Sequence, residues 1–268
     1  MPHDTPDFTY VLSGLLAALG EYPDITLTTA LRAKADIRHE ADDCLISLLL
    51  RTRFGQVMSR NDWYRNKDWN TQIESEFDAK LKRARDKSQY LRIQASYLTK
   101  THPQAALNLL DRYFDLGEHF DFAQAYVDQA KSYLSLGKTA ETITSFEKAL
   151  VREKNHPKLL TNAYLDLPFF IAVKSIENKY DEALETLDTY QPRLTFSIDK
   201  YKWNAAKSII LSSLDYHEEA ANFAKAAIEF SEEKKSGIKY HPKVGLFSES
   251  KIDKQIYKKV KKIAARKT

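Results

Sequence analysis

Residues 123–157 read AQAYVDQAKSYLSLGKTAETITSFEKALVREKNHP, and the apolar residues of this stretch recur at helical spacing. Tyr126, Ala130 and Tyr133 fall on one face of a first predicted helix. Gly137 interrupts that pattern, as glycine does beyond the end of a helix. A second apolar stripe then includes Phe146 and Ala149. The stretch therefore predicts a helical hairpin, two antiparallel helices joined by a tight turn.

The same pattern recurs along the chain. Small residues at equivalent positions of successive second helices are separated by 36, 41 and 37 residues; they are Ala106, Thr142, Ala183 and Ala220. A small side chain at such a position lets two helices approach to about 8–10 Å. Repetition at this period is typical of stacked helical hairpins. The sequence therefore predicts an all-α solenoid of about five or six antiparallel hairpins.

These residues resemble the tetratricopeptide repeat (TPR) family, whose period is about 34 residues. The resemblance covers roughly residues 86–234. It implies a right-handed superhelix with a concave groove lined by the first helix of each hairpin. The groove positions that it implies in this chain are Arg92, Asp128, Lys131, Phe169 and Lys202, with the apolar neighbours Leu91, Ala95, Val127, Ala172, Ala205 and Ile209. Two interpretations of these positions stay open: their side chains bind a ligand in the groove, or they pack against a neighbouring helix or water. Pro168 departs from the pattern, and we expect it to start or kink its helix.

Three regions are predicted. Residues 1–70 form an N-terminal helical region, with helices expected at 9–20 and about 25–54, and these helices are either divergent hairpins or a separate element. Residues 71–234 hold the repeats, and residues 235–268 form a basic C-terminal segment. Residues 61–70 read as an irregular link, whereas residues 73–100 read as one long helix with a basic face that includes Lys80 and Arg92.

The C-terminal segment carries eleven basic and two acidic residues, a net charge of +9. Its apolar residues Ile252, Ile256, Val260 and Ile263 predict an amphipathic helix that exposes Lys258 and Lys262. Three interpretations stay open: the helix caps the end of the solenoid, lies on an anionic membrane surface, or binds an acidic partner. Capping is favoured because the apolar stripe is narrow and has no Trp or Phe.

The composition favours a globular helical protein, and the sequence contains none of the common catalytic motifs. The chain has 268 residues, a net charge of +4, 7 Gly and 8 Pro, too few turn residues for a dense β-fold. Cys44 is the only cysteine, which excludes an intrachain disulfide and fits a reducing cytoplasm. No apolar stretch reaches the roughly 20 residues of a membrane span. Phosphate-loop, nucleophile-elbow and metal-ligand motifs are missing, and the seven histidines are scattered.

The sequence therefore predicts a protein that binds a protein or peptide segment in the groove, as an adaptor, regulator or inhibitor. No enzyme activity, cofactor or metal site is expected. The alternative is nucleic-acid binding through the basic stretch 80–92 and the basic C-terminal helix, because clustered lysines and arginines displace counterions from phosphates. The oligomeric state is left open.

Overall fold

The computed structural model describes residues 63–236, 240–248 and 254–266. Contacts divide the chain into two units, Met1–Asn61 and Asp62–Thr268. The helices predicted at 9–20 and 25–54, together with Cys44, lie outside the described residues. The fold described below is that of the second unit.

Within those ranges the chain forms ten α-helices and no strand. Their bounds are α1 Thr71–Arg83, α2 Lys87–Leu98, α3 Pro103–Asp115, α4 Phe122–Ser135, α5 Thr139–Asn155, α6 Ala163–Lys174, α7 Tyr180–Tyr190, α8 Ser197–Ser213, α9 His217–Glu232 and α10 Lys254–Ala264. Two short 3-10 helices, Glu177–Lys179 and Gln191–Arg193, flank α7.

The helices pack as consecutive pairs, α2 with α3, α4 with α5, α6 with α7 and α8 with α9. The predicted all-α solenoid of stacked hairpins is therefore confirmed. We call α2, α4, α6 and α8 the first-helix layer, and α3, α5, α7 and α9 the second-helix layer. The small residues that set the repeat period are at most 1% exposed; they are Ala106, Thr142, Ala183 and Ala220. Their burial places the hairpin core where the spacing predicts it.

Gly137 ends α4 as the sequence predicts. Its backbone is left-handed, with φ of 72°, a conformation in which other residues are strained. The amide of Lys138 donates to the carbonyl of Tyr133 at 3.0 Å, which closes the helix terminus. α5 begins two residues after Gly137, and the hairpin turn is correspondingly tight.

The prediction of one long helix over residues 73–100 is wrong. α1 ends at Arg83, Ala84 is extended, and α2 begins at Lys87. The cause is Asp86, whose carboxylate accepts hydrogen bonds from the Gln89 amide at 3.2 Å and the Ser88 hydroxyl at 2.7 Å. An Asp followed three residues later by Gln is a helix start signal that apolar periodicity does not detect. The basic stretch 80–92 is consequently divided between two helices.

Pro168 does not start its helix. α6 begins at Ala163 and continues through Pro168 to Lys174. Both Leu167 and Phe170, on either side of the proline, are buried in the described structure. Packing of this apolar helix therefore outweighs the loss of one backbone hydrogen bond.

Aromatic residues cover the first hairpin. Trp63, Tyr64 and Trp69 pack against a buried cluster that includes Phe77 of α1 and Leu91 of α2. Within the same segment, the Asn66 amide donates to the side-chain oxygen of Gln94 at 3.0 Å, and the Gln94 side chain donates back to the Asn66 carbonyl at 2.8 Å. Gln94 is fully buried. Residues 63–70 are irregular, as predicted, and their partly buried aromatic side chains pack against the core of this unit.

The C-terminal helix α10 covers the last hairpin. It packs against α8 and α9, and its residues Val260 and Ile263 are at most 3% exposed within the main apolar cluster. Phe247 bridges the segment before α10 to the stack, with its ring centroid 4.5 Å from that of Tyr201 and 5.3 Å from that of Tyr257. This is the capping arrangement. The apolar face of α10 is used inside the chain, so it is not available for a membrane surface.

Gly245 allows the segment before α10 to lie close to Phe196, at the start of α8. Its replacement by alanine should loosen the packing of this segment against α8. The Gly245 carbonyl accepts from the Ile198 amide at 2.9 Å. Its φ is 70°, and an added Cβ would lie 2.1 Å from Cδ1 and 2.5 Å from Cβ of Phe196. The left-handed backbone alone costs about 1–2 kcal/mol. We expect Gly245→Ala to accelerate hydrogen exchange at the Ile198 amide.

Gly137→Ala is the matched control, because Gly137 has a similar φ of 72° and no atom within 4 Å of an added Cβ. The alanine at 137 should lower stability by the backbone cost only and leave exchange at Ile198 unchanged. Equal exchange at Ile198 in both variants would contradict the close contact between Gly245 and Phe196.

Candidate functional site

Arg92 lies at the centre of a charged network on the first-helix layer. From α2 its guanidinium donates to Asp121 at 3.0 Å and to Asp128 of α4 at 3.4 Å. The Gln124 side chain also donates to Asp128, at 3.1 Å. The structure therefore brings the predicted residues Arg92 and Asp128 together, and it adds Asp121 and Gln124, which the sequence analysis missed.

Asp128 is only 3% exposed, and this burial raises the pKa of its carboxyl above the usual value. The charges of Lys131 and Arg92 act in the opposite direction and favour the carboxylate. A buried carboxylate needs such partners, since an unpaired one is costly. Asp128 thus acts mainly to fix Arg92 and to hold α2 against α4. Lys131 is half-buried on the next turn of α4.

A second charged pair lies further along the same layer. Lys202 of α8 donates to Asp166 of α6 at 2.7 Å, and its ammonium lies 5.8 Å from the centre of the Phe169 ring. The structure therefore brings together the predicted residues Phe169 and Lys202. Both groups of predicted residues hold neighbouring first helices to each other.

The apolar positions assigned to an open groove are core positions instead. Each is at most 2% exposed in the described structure; they are Leu91, Ala95, Val127, Ala172, Ala205 and Ile209. They face neighbouring helices because the first and second layers both need an apolar face in the core. Of the two alternatives, lining of the groove is therefore wrong for these side chains, and packing against a neighbouring helix is confirmed.

Charged pairs one repeat apart connect successive hairpins. Their partners are 32 to 40 residues apart; they are Asp78 with Arg112, Arg92 with Asp128, Glu118 with Arg152, Glu147 with Lys179, Glu153 with Arg193, and Asp166 with Lys202. Sequence reasoning missed these pairs. A search for opposite charges separated by one repeat period would have found them.

Two large apolar side chains are exposed on the loops between hairpins. Phe120, before α4, is 75% exposed, and Leu160, before α6, is 61% exposed. Both line one cleft of about 160 Å³, which we call the edge cleft; Gln124 and Asp121 also line it. The edge cleft therefore adjoins the Arg92 network. Such exposed apolar groups on adjacent loops are typical of a contact surface.

A second, more polar cleft of about 340 Å³ shares the lining residues Phe120 and Asp121 with the edge cleft. We call it the Tyr113 cleft, and its lining residues are Asp86, Ser88, Gln89, Tyr113, His119, Phe120 and Asp121. Tyr113 is only 1% exposed, and burial raises the pKa of its hydroxyl. The Tyr113 hydroxyl and His119 Nε2 are buried and have no hydrogen-bond partner in the structure.

The predicted residues Lys258 and Lys262 lie on α10, on its exposed side. The other exposed cations of this helix are Lys254, Lys259 and Lys261. Among the described residues none of these five lysines forms an ion pair, although Lys261 lies 4.5 Å from the centre of the Tyr257 ring. α10 therefore presents uncompensated positive charge to solvent.

Within residues 63–236, 240–248 and 254–266, no group of three or more His, Cys, Asp or Glu side chains is placed to hold a metal ion. In the same ranges no helix combines the length and apolar character needed to cross a membrane. No model of a known protein family matches the chain, and comparisons with curated proteins and with solved structures found no match either.

Proposed function

We propose that this chain is a TPR-like interaction module that binds a segment of a partner protein, as an adaptor, regulator or inhibitor. The observation that carries the proposal is the pair Phe120 and Leu160, which are 75% and 61% exposed and share the edge cleft. Removing apolar surface from water is favourable, so a partner that covers these two side chains would be stabilised in the complex.

The surroundings of the edge cleft suit a peptide better than a small molecule. The cleft is small, about 160 Å³, and it shares the lining residues Phe120 and Asp121 with the Tyr113 cleft. The Arg92 network lies beside it and supplies charged groups held by the first-helix layer. An apolar contact flanked by fixed polar groups is the usual composition of a protein interface.

Affinity capture tests the proposal. The tagged full chain and the double variant Phe120→Ser, Leu160→Ser are compared after nuclease treatment of the extract. We expect specific partner proteins to be recovered by the parent and lost, by about tenfold or more, with the double variant, since hot-spot residues contribute about 2 kcal/mol or more each.

The double variant Leu134→Ser, Val151→Ser is the matched control. It removes two aliphatic side chains that are 41% and 60% exposed and lie outside the edge cleft, and it should retain the partners. Proteins that are recovered equally by all three chains, or recovery of nucleic acid alone from an untreated extract, would refute the proposed surface.

The second candidate function is nucleic-acid binding through α10, favoured by its unpaired lysines. The stretch 80–92 supports this candidate less, because it is divided between α1 and α2 and because Arg92 is bound to Asp121 and Asp128. Phosphate contacts would make retention on RNA fall steeply with salt. The variant Lys258→Gln, Lys262→Gln should reduce that retention while leaving capture through Phe120 and Leu160 intact.

A further inference from the structure

The Tyr113 cleft contains buried polar atoms that lack partners. The Tyr113 hydroxyl and His119 Nε2 form no hydrogen bond with any residue that the structure describes, although both atoms are buried. Leaving such a group without a partner costs about 1–3 kcal/mol, so buried polar groups are nearly always satisfied. A ligand that donates hydrogen bonds inside the cleft would satisfy the oxygen of Tyr113 and, in the tautomer protonated at Nδ1, the Nε2 atom of His119.

The charges around the cleft favour a cation. Asp86 and Asp121 both line it. Hydrogen bonds from Ser88 and from the Gln89 amide lower the pKa of Asp86, which keeps its carboxylate ionised. Arg92 is the adjoining cation, and its contacts go to Asp121 and to the buried Asp128. Two more charges near the Tyr113 hydroxyl offset each other, because Arg152 pairs with Glu118.

An anion does not fit the same place. The cleft lies at the N-terminus of α2, where free amides would attract a phosphate or a carboxylate. The Gln89 amide is already bonded to the Asp86 side chain at 3.2 Å. With this donor occupied and two carboxylates in the lining, an anion would meet repulsion rather than hydrogen bonds.

The shape and the available acceptors favour a planar cation. Tyr113, His119 and Phe120 contribute aromatic rings, and the Tyr113 and His119 ring centroids are 5.4 Å apart. A guanidinium stacks on aromatic faces and carries five N–H donors in a fixed plane, whereas an ammonium is compact and strongly hydrated. Four groups of three kinds can accept hydrogen bonds among the lining residues: the carboxylates of Asp86 and Asp121, the Tyr113 oxygen and, in the tautomer protonated at Nδ1, the Nε2 atom of His119.

We propose that the Tyr113 cleft binds the arginine side chain of a partner protein, beside an apolar residue seated in the edge cleft. Asp86 and Asp121 hold the charge, the Tyr113 oxygen accepts a hydrogen bond, and the exposed ring of Phe120 covers the guanidinium. This inference rests on the proposed protein-binding function, and it specifies the chemistry of the segment that is bound.

The test uses the full chain labelled with ¹⁵N and the single-residue probe N-acetyl-arginine N-methylamide. We expect the amide signals of Ser88, Gln89 and Phe120 to shift, with the millimolar affinity of a small ligand. The neutral isostere N-acetyl-citrulline N-methylamide should cause no shift, and the lysine analogue should bind more weakly. No shift with the arginine probe, equal binding of citrulline, or lysine binding as strong as arginine would overturn the assignment.

Tyr113→Phe removes only the hydroxyl and should weaken arginine binding about fivefold, the ratio expected for one hydrogen bond. Tyr97→Phe is the matched control, because Tyr97 is 41% exposed and does not line the cleft, and it should bind as the parent does. Unchanged affinity in Tyr113→Phe would contradict the role of the hydroxyl. The comparison of arginine with citrulline uses the parent chain, so it tests the assignment even if a variant fails to fold.

Failure of this inference is distinguishable from failure of the proposed function. If partner capture depends on Phe120 and Leu160 but the arginine probe does not bind, the cleft assignment is wrong and the interaction module stands. If the probe binds but capture is independent of these two residues, the proposed protein-binding surface is wrong. The assignment of the cleft to the arginine of a partner protein would then be refuted, and only a binding site for a guanidinium group would remain.

Discussion

Replacing Ala149 with aspartate is expected to lower the free energy of unfolding by about 3–5 kcal/mol. Ala149 is 0% exposed and lies in the main apolar cluster with Phe146 of the same helix. A carboxylate at this place would be buried without a partner, and its larger side chain would separate helices that approach closely. Urea unfolding measures the change. The difference in the free energy of unfolding between the variant and the parent should become smaller at acidic pH, because the protonated carboxyl is less costly to bury than the carboxylate.

Val151→Asp is the control for this prediction. Val151 lies two residues further along α5, but it is 60% exposed. The same chemical change there should stay within about 0.5 kcal/mol of the parent. Similar losses in the two variants would mean that α5 does not bury the face predicted from the spacing of Thr142, Phe146 and Ala149.

Replacing Arg193 with alanine is expected to cost about 3 kcal/mol, because it leaves a buried carboxylate without its cation. Glu153 is 1% exposed and accepts from Arg193 at 2.6 Å and from the Thr161 amide at 2.9 Å. The guanidinium also lies 4.3 Å from the centre of the Tyr190 ring. The pair holds α5, the loop before α6 and the end of α7 together, so its loss should weaken the junction between two hairpins.

Arg112→Ala provides the comparison. Arg112 and Asp78 are 2.7 Å apart, a similar distance, but their side chains are 40% and 38% exposed, and removal should cost about 0–1 kcal/mol. Adding Glu153→Gln to Arg193→Ala should recover part of the larger loss, because a neutral amide is cheaper to bury than a carboxylate. Equal effects of Arg193→Ala and Arg112→Ala in urea unfolding would contradict the role of burial.

The local sequence pattern correctly predicted which face of a helix is buried and where a helix ends. The step from Thr142 through Phe146 to Ala149 identified the buried face of α5, and Gly137 marked the end of α4, since both depend on contacts within a few residues. The break before α2 was missed because it depends on one cap, Asp86, rather than on periodicity. Of the two expectations for Pro168, that it starts its helix or kinks it, the first is wrong, because α6 begins five residues earlier at Ala163.

The candidate surface was predicted only in part. Arg92 and Asp128 were identified by their repeat position, yet their partnership and the involvement of Asp121 became clear only in three dimensions. Phe120 and Leu160 are separated by 40 residues in sequence and line one cleft because they precede the first helices of successive hairpins. Tyr113 looks in sequence like any other apolar residue of α3, and its unpartnered hydroxyl is a property of its surroundings.

The sequence by itself determined that this chain forms helical hairpins, where their small residues fall, and that its C-terminal helix is basic and amphipathic. Those properties follow from periodicity and turn chemistry, which act over one or two helical turns. The tertiary structure decided which charges are neutralised by a partner one repeat away and which stay exposed on α10. It also decided which polar atoms are buried without a partner. Such outcomes depend on how hairpins stack, because burial and pairing are set by neighbours 32 to 40 residues away in the chain.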